Sequence, residues 1–333
     1  MVEDGALKAL VTGGSGFIGS HVVDKLAEAG HEPRILDLVV SPWHEESEID
    51  TRIADLSDAD AVREAVRGCD SVLHLAAMAD VYQVVEDPSR TDSVNVRGTF
   101  NLLEAARAEG IERFLYASTI WVYGNAPGSG PHEEDTPLVL PPHLYTATKL
   151  AGEMYCRSYQ TLYGVSTTIL RFGIPYGPRA RPAAVVPAFI AKAQAGTPLT
   201  IAGDGSATRQ FVYVEDLAEG MVAALAPAGA GRIYNLVGDE LVSVRQIADT
   251  VRELVADVPI EHGPDRPADL EFGRASAQRA GAELGWRART TFAEGVRRYV
   301  DWLAVTSGSP VASAASSTAG SAATVWRHDA RAL

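Results

Sequence analysis

The stretch LKALVTGGSGFIGS, residues 7–20, decides the fold of this chain. Its apolar residues 9–11 predict a buried strand, and apolar residues at helical spacing over 17–29 predict a helix. Three glycines with the spacing G-x-G-x-x-G lie at the junction: Gly14, Gly16 and Gly19. Glycines let the backbone bend tightly and approach a diphosphate, which the unpaired N–H groups at the start of the helix attract. The stretch therefore predicts a dinucleotide-binding turn, with an ordinary glycine turn as the alternative.

An acidic residue follows at the distance expected after such a turn. Residues 34–37 predict a second strand that ends in Asp37, 18 residues after Gly19. A carboxylate there accepts hydrogen bonds from the adenine-ribose hydroxyls and repels a 2′-phosphate. Because no arginine follows Asp37, the sequence favours NAD over NADP; an aspartate at the surface end of a strand is the alternative.

The composition excludes several classes of protein. With 333 residues, of which 46% are hydrophobic, the chain can bury the core of a two-lobed α/β enzyme. Its formal net charge of −14 disfavours nonspecific binding to nucleic acid or to an anionic membrane. No apolar run approaches the length of a membrane span, and the first five residues lack the basic segment of a secretion signal, so we expect a cytoplasmic protein. The two cysteines form no cluster typical of a disulfide framework or a metal site.

Strands and helices alternate through the rest of the first half. The predicted elements are a strand over 53–56 that contains Asp55, a helix over 59–66, a strand over 71–75, a helix over 94–108 and a strand over 114–118. Ligands bind at the carboxyl ends of the strands in an open parallel sheet, which places Thr119 for chemistry. Ala76 and Ala77 are small enough for close approach of a cofactor. His74 lies within a buried strand and is expected to be a packed core residue.

A predicted helix over 143–163 carries Tyr145 and Lys149. Four residues are about one helical turn, so both side chains point to the same side. Taken alone, Tyr-x-x-x-Lys is a common coincidence on helices.

Together these motifs resemble the extended short-chain dehydrogenases/reductases of the nucleotide-sugar epimerase and dehydratase branch. The resemblance covers residues 7–304. The segments that carry it are TGGSGFIG at 12–19, Asp37, Asp55-Leu56, HLAA at 74–77, NVRGTFNLLEAA at 95–106, STIWVYG at 118–124 and YTATK at 145–149.

The resemblance implies a Rossmann-type doubly wound parallel sheet with a smaller α/β substrate-binding domain. Residues 1–172 and 211–236 would form the NAD-binding domain, and residues 173–210 and 237–304 the nucleotide-sugar-binding domain. Residues 305–333 begin with a segment rich in Ser, Ala, Gly and Thr that cannot bury enough apolar surface to fold alone, so we expect a flexible tail. A homodimer joined through the helices near 94–108 and 145–163 is also implied.

The resemblance also assigns roles to residues, none of them to a metal. Those implied for binding NAD are Gly13, Gly16, Phe17, Ile18, Asp37, Asp55, Leu56, Leu75, Ala76, Ala77, Asn95, Tyr145 and Lys149. The implied catalytic residues are Thr119, Tyr145 and Lys149, with Tyr145 as the base. The implied substrate-binding residues are Thr119, Tyr145, Arg179, Arg209 and Arg266. Planar guanidinium groups suit phosphate oxygens, so we interpret Arg209 and Arg266 as a diphosphate clamp, with solvated surface arginines as the alternative.

Oxidation of a sugar at C4 is the reaction this set of residues implies, and several outcomes share it. A 4-epimerase of a nucleotide sugar, preferably UDP-linked, is favoured. The resemblance implies Thr-Asp-Glu at this place in the dehydratases and Thr-Ser-Glu in the decarboxylases, whereas in this chain Ile120 and Trp121 follow the threonine. A UDP-glucuronate decarboxylase is the main alternative, and a noncatalytic NAD-sensing protein a further one. Ile174 departs from the asparagine common near the uracil-side phosphates in family members that act on UDP-sugars.

Overall fold

Strands and helices alternate along the computed structural model, which describes residues 5–124, 130–141, 143–264 and 273–306. In chain order the strands are β1 (Lys8–Thr12), β2 (Glu32–Asp37), β3 (Asp50–Ile53), β4 (Ser71–His74), β5 (Arg113–Thr119), β6 (Thr167–Phe172), β7 (Ile174–Tyr176), β8 (Leu199–Ala202), β9 (Thr208–Tyr213), β10 (Ile233–Leu236), β11 (Leu241–Ser243) and β12 (Ile260–Gly263). The helices are α1 (Phe17–Glu28), α2 (Ala59–Val66), α3 (Val81–Glu86), α4 (Pro88–Asp92), α5 (Gly98–Glu109), α6 (Leu144–Tyr163), α7 (Val185–Gln194), α8 (Val214–Ala223), α9 (Val244–Leu254), α10 (Gln278–Leu284) and α11 (Phe292–Thr306).

The main sheet is parallel and has the strand order β10-β6-β5-β4-β1-β2-β3. From β1 the chain adds β2 and β3 on one side and then crosses back to add β4, β5 and β6 on the other. The order therefore reverses between β1 and β4, where the carboxyl ends of the strands leave a crevice for a ligand. This doubly wound sheet confirms the predicted fold class.

Helices cover both faces of the main sheet because each presents an apolar face to it. On one side α1 packs against α8, with Leu26 and Met221 in a shared buried cluster. On the other side α2 packs against α5, with Val62 and Leu102 in a second cluster. Burial of each such side chain contributes about 1.5–3 kcal/mol to folding. The two clusters hold the sheet whose strands carry the candidate site at their carboxyl ends.

A smaller lobe contains the sheets β11-β9-β7 and β12-β8. Its core joins α7, α9 and α11 through Ile190, Val251 and Val296. The domain boundary expected at 210/211 falls inside β9, because β9 pairs with both β7 and β11 through Tyr213 and Gln210. Residues of the 237–304 segment also contribute to the larger lobe, since α10 packs against β10.

Two elements differ from the sequence-based prediction. The third strand is β3 at 50–53, so Asp55 follows the strand instead of lying within it. β3 is an edge strand whose side chains are exposed or half-buried, so it lacks the apolar signal of a central strand. The helix predicted over 94–108 begins with a π-helical turn (Ser93–Arg97) before α5. Among the helices that the structure describes, none is long and apolar enough to span a membrane. The expected tail lies outside the described residues from 307 onward.

Candidate active site

The glycine-rich turn lies between β1 and α1, directly against the end of β4. Gly13 has a left-handed backbone with φ 74°, and its N–H donates to the Leu36 carbonyl at 2.9 Å. A Cβ on Gly13 would lie 3.0 Å from the backbone nitrogen of Ala76. The G-x-G-x-x-G spacing attributes the tight bend to its own glycines, the first of which is Gly14, but the left-handed residue is Gly13. Gly14 instead makes room for β2, since a Cβ there would lie 2.8 Å from Ile35 Cγ1.

The turn leaves the start of α1 open to an anion. The N-cap residue, Gly16, has extended backbone and no side chain that could accept a hydrogen bond from the first turn. A Cβ on Gly19 would lie 2.1 Å from the Gly13 carbonyl oxygen, so only glycine allows this close packing. The first N–H groups, from Phe17 and Ile18 onward, lie at the positive end of the helix dipole without a side-chain cap. This cradle fits the diphosphate of a dinucleotide.

Asp37 lies beside the same turn, at the end of β2. Its Oδ2 accepts a hydrogen bond from the Ser15 N–H at 3.0 Å, and its Oδ1 accepts one from the Leu38 N–H at 2.7 Å. Partial burial raises the pKa of the carboxyl group, while these backbone donors oppose the rise. Each carboxylate oxygen keeps acceptor capacity for a ribose hydroxyl.

Asp55 and Leu56 follow β3, at the same end of the parallel sheet as Asp37. Asp55 pairs with Arg90 and accepts hydrogen bonds from the N–H and hydroxyl of Ser57 at 2.8 and 2.7 Å. The hydrogen bond from Arg90 lowers the pKa of Asp55 to about 2, so the side chain is ionised at neutral pH. Leu56 is buried and packs where Gly98 has no side chain.

Leu75, Ala76 and Ala77 are half-buried where β4 ends, and Asn95 supports this segment from the π-helical turn. Asn95 Oδ1 accepts from the Met78 N–H at 2.8 Å, and Nδ2 donates to the Met78 carbonyl and to Thr148 Oγ1, both at 3.0 Å. Both amide hydrogens of Asn95 are therefore used within the protein. Its side chain holds the segment that faces the glycine turn.

The three residues predicted to be catalytic lie on two adjoining elements, because α6 packs on β5. Thr119 is the last residue of β5, and its hydroxyl oxygen accepts from the Trp121 N–H at 3.2 Å. Lys149 is buried on α6, and its ammonium donates to the Ala117 carbonyl at 2.9 Å. Burial lowers the pKa of Lys149 to about 8. The ammonium thus fixes α6 against the strand that ends in Thr119.

Tyr145 is the second residue of α6, one turn before Lys149, and its side chain remains partly open to solvent. Burial of its hydroxyl raises the pKa of Tyr145 to about 12, while the Arg181 guanidinium acts in the opposite direction. Arg181 comes from the segment after β7 and pairs with Asp80, which caps α3. The Trp121 ring meets the Tyr145 ring edge-on, with centroids 6.0 Å apart.

Sequence reasoning missed both Arg181 and the packing role of Trp121. Arg181 lies two residues after Arg179 in the segment GPRARP, and no spacing rule distinguishes the two. From the sequence, Trp121 is informative only as a residue without a carboxylate, and its contact with Tyr145 depends on the fold.

Of the three arginines expected to bind substrate, the two that the structure describes lie in different surroundings. Arg179 has a left-handed backbone with φ 66°, pairs with Asp24 of α1 at 2.8 Å, and stacks over Trp43 at 5.0 Å. Its guanidinium is thus engaged by the larger lobe. Arg209 lies on β9, half-buried, and donates to the Thr208 carbonyl at 2.8 Å. Arg266 lies outside the described residues. Their substrate roles stay predictions.

Comparison with known proteins agrees with this fold and identifies the family. Residues 9–237 match the model of the family described as the NAD dependent epimerase/dehydratase family. The chain belongs to the NAD-dependent epimerase/dehydratase family.

Family relatives differ in the reaction that their names give. The chain is 36% identical over 311 residues to the UDP-glucose 4-epimerase of Mycolicibacterium smegmatis, covering 89% of this chain and 98% of that protein. It is 32% identical over 328 residues to the UDP-N-acetyl-alpha-D-glucosaminuronate decarboxylase of Bacillus cytotoxicus, covering 89% and 97%. The crystal structure of Thermus thermophilus UDP-glucose 4-epimerase in complex with NAD superimposes with a TM-score of 0.82 at 36% identity, covering 89% of this chain and 98% of that one.

As a member of the epimerase/dehydratase family, this chain is an NAD-dependent enzyme. The glycine cradle, the uncapped start of α1 and the Asp37 carboxylate are the features that fit NAD. When bound, NAD supplies reversible hydride transfer.

Proposed function

We propose that this family member is a 4-epimerase of a nucleotide sugar, with UDP as the nucleotide. The observation that carries the proposal is the pair of residues after Thr119. Ile120 is buried, and Trp121 packs against the ring of Tyr145. Neither side chain can move a proton during elimination of water, and neither supplies the carboxylate found at this place in dehydratases and decarboxylases. The residues around Tyr145 thus favour oxidation followed by return of the hydride to the same carbon.

The chain's own residues supply the proton chemistry of this proposal. Tyr145 takes the proton of the C4 hydroxyl as the carbon is oxidised, and Thr119 offers a hydroxyl to the same substrate oxygen. A phenol with a pKa near 12 is a weak base, so cations at the site must stabilise the phenolate. Arg181 already lowers the pKa of Tyr145 in the protein alone, and Lys149 is one helical turn away. On return of the hydride, Tyr145 gives the proton back.

The choice of UDP as the nucleotide rests on the comparisons with known proteins. The similarity to UDP-glucose 4-epimerases along nearly the whole chain favours UDP. Ile174, at the start of β7, is half-buried and pairs with Phe211 of β9. It offers no amide for the uracil-side phosphates, so the nucleotide belongs among the variables of the test.

The test is incubation of the purified enzyme with UDP-glucose, UDP-galactose and UDP-glucuronate, with NMR of the sugar products. The dTDP-, GDP- and CDP-linked glucoses serve as nucleotide controls. Inversion at C4 supports the proposal. Formation of a UDP-pentose with release of carbon dioxide would replace it by the decarboxylase alternative, and a 4-keto-6-deoxy sugar would replace it by a dehydratase.

We also propose a homodimer joined through α5 and α6. Met154, Leu162 and Tyr163 of α6 are exposed by 43%, 70% and 54%, a large apolar exposure for one helix. Pairing with the same helices of a second copy would cover these side chains. Size-exclusion chromatography with light scattering tests this: a dimer is expected at micromolar concentration, and a monomer throughout that range would contradict the proposal.

A cytoplasmic location is part of the same proposal. Cys69 and Cys156 are both buried as free thiols, which suits a reducing compartment. Recovery of the native protein in the membrane or secreted fraction of its source cells would contradict it.

A further inference from the structure

His74 lies buried beneath the glycine-rich turn, and both of its ring nitrogens are hydrogen-bonded. Nδ1 lies 2.8 Å from the hydroxyl oxygen of Thr12, the last residue of β1. Nε2 lies 2.9 Å from the hydroxyl oxygen of Thr99 in the first turn of α5. All three side chains are almost completely shielded from solvent, at 0–1% exposure. One imidazole therefore connects the strand before the glycine turn with the helix after Asn95.

The direction of each hydrogen bond follows from counting hydrogens. The Thr12 hydroxyl oxygen accepts from the N–H groups of Leu75 and Ala76, both at 3.2 Å, so its own hydrogen is free to point at His74 Nδ1. The Thr99 hydroxyl donates to the Asn95 carbonyl at 2.6 Å, so it must accept from His74 Nε2. The Thr99 end therefore requires a proton on Nε2, and the Thr12 end suits an Nδ1 that accepts, so both ends fit the same neutral ring.

We propose that His74, as this neutral Nε2-protonated tautomer, is a positioning residue for the NAD site. It holds β1, the segment after β4 and the turn that carries Asn95 in one arrangement. The inference rests on the use of NAD by the family and is independent of the 4-epimerase proposal.

These hydrogen bonds hold the segment after β4, which faces the glycine-rich turn. Thr12 fixes the N–H groups of Leu75 and Ala76, and Ala76 is the residue that Gly13 approaches most closely. At the other end, Thr99 holds the Asn95 carbonyl, and the Asn95 amide holds Met78. Loss of either threonine hydroxyl would leave a buried imidazole nitrogen without its partner.

The groups that face His74 oppose its protonation. Lys149 of α6 presents a positive charge, while the Phe114 and Tyr116 rings of β5 lie with centroids 6.3 and 5.7 Å away. Burial and the Lys149 charge lower the pKa of His74 to about 3. An added proton on Nδ1 would also point at a Thr12 oxygen that already accepts two hydrogens.

The affinity for NAD of Thr99→Val and Thr99→Ser tests the role. Thr99→Val keeps the shape and removes the hydroxyl, and we expect NAD to bind about tenfold more weakly. Thr99→Ser keeps the hydroxyl and should bind within about twofold of wild type. Titration with NAD, followed by tryptophan fluorescence, gives both constants, and thermal unfolding without added NAD gives the stabilities. Thr99→Ala is a parallel variant in case the valine protein does not fold.

Two results would overturn the proposal. One is a valine or alanine variant that is less stable yet binds NAD as tightly as wild type, because the bond would then serve the fold alone. The other is a serine variant as impaired as the valine variant. The tautomer has its own readout in NMR of ¹⁵N-labelled histidine. We expect a proton on Nε2 and no titration between pH 5 and about 8; a proton on Nδ1 would contradict the assignment.

Discussion

The rings of Trp121 and Tyr145 meet edge to face, with centroids 6.0 Å apart and planes at 87°. The contact fixes the ring of the proposed base without using its hydroxyl. Tyr145→Phe should therefore keep the packing against Trp121 and remove only the acid–base group. We expect the turnover number to fall about a hundred- to ten-thousand-fold, with little change in nucleotide-sugar affinity. Steady-state kinetics and calorimetry measure the two quantities. Near-normal turnover would show that another group is the base.

Arg181 should influence the pH dependence of turnover through its charge. Burial raises the pKa of Tyr145, and the Arg181 guanidinium lowers it. Arg181→Gln should therefore shift the acidic limb of the kcat profile to higher pH, because Tyr145 must lose its proton to act as a base. The shift should be modest and weaken with salt, since Arg181 is exposed by 56%. Arg181→Lys keeps the charge and is the matched control. Identical profiles for the glutamine variant and wild type would rule out this influence.

Asp37 should determine the preference for NAD over NADP. Its carboxylate lies against the glycine turn, bonded to the Ser15 N–H, and would repel a 2′-phosphate there. Asp37→Ala should bind NADP more tightly than wild type and NAD more weakly, as titration with each cofactor will show. Asp37→Asn separates charge from hydrogen bonding. Wild-type protein that binds NADP as tightly as NAD would contradict this role.

His21 should make folding sensitive to mild acid. Its Nε2 bonds to the Pro178 carbonyl at 3.0 Å, and burial, helped by the Arg179 charge, lowers its pKa to about 4. The unfolded chain takes up this proton below about pH 6.5, whereas the folded chain does so only near pH 4. The stability from this group is therefore full above about pH 6.5 and is lost as the pH falls towards 4.

Between pH 7 and pH 5 the loss from His21 should be about 2 kcal/mol. His21→Gln keeps a donor for Pro178 and does not titrate, so its unfolding free energy should fall by less over the same interval. Urea unfolding at the two pH values measures both proteins. Equal pH dependence would show that His21 does not carry the effect.

The fold could be predicted from sequence because its signals are local. The change from strand to glycine turn to helix at 7–20, and the alternation that follows, need only neighbouring residues. The third strand was predicted over 53–56, whereas β3 lies at 50–53, because this edge strand is held by long-range contacts, such as the 2.7 Å ion pair between Arg34 and Asp50, and not by an apolar pattern.

The candidate site could likewise be predicted only where its signals are local. Tyr145 and Lys149 share one helix, so their spacing shows that they lie on one side. Which arginine lies near Tyr145 depends on contacts between the lobes, and these cannot be read from the spacing of residues in the sequence. Arg179 turns to Asp24, 155 residues away, while Arg181 pairs with Asp80 and is close enough to Tyr145 to lower its pKa. The role of His74 was equally hidden, because its partners come from β1 and α5 and only the fold brings them together.

The most direct test of the central claim is the fate of the hydrogen on C4. A UDP-sugar that the enzyme converts is prepared with deuterium at C4, and the product is followed by NMR in ordinary water. The account predicts inversion at C4 with the deuterium retained at that carbon, because bound NAD would supply hydride transfer without exchange of the hydrogen with solvent. Inversion with loss of the deuterium to solvent, or a product altered at another carbon, would contradict it.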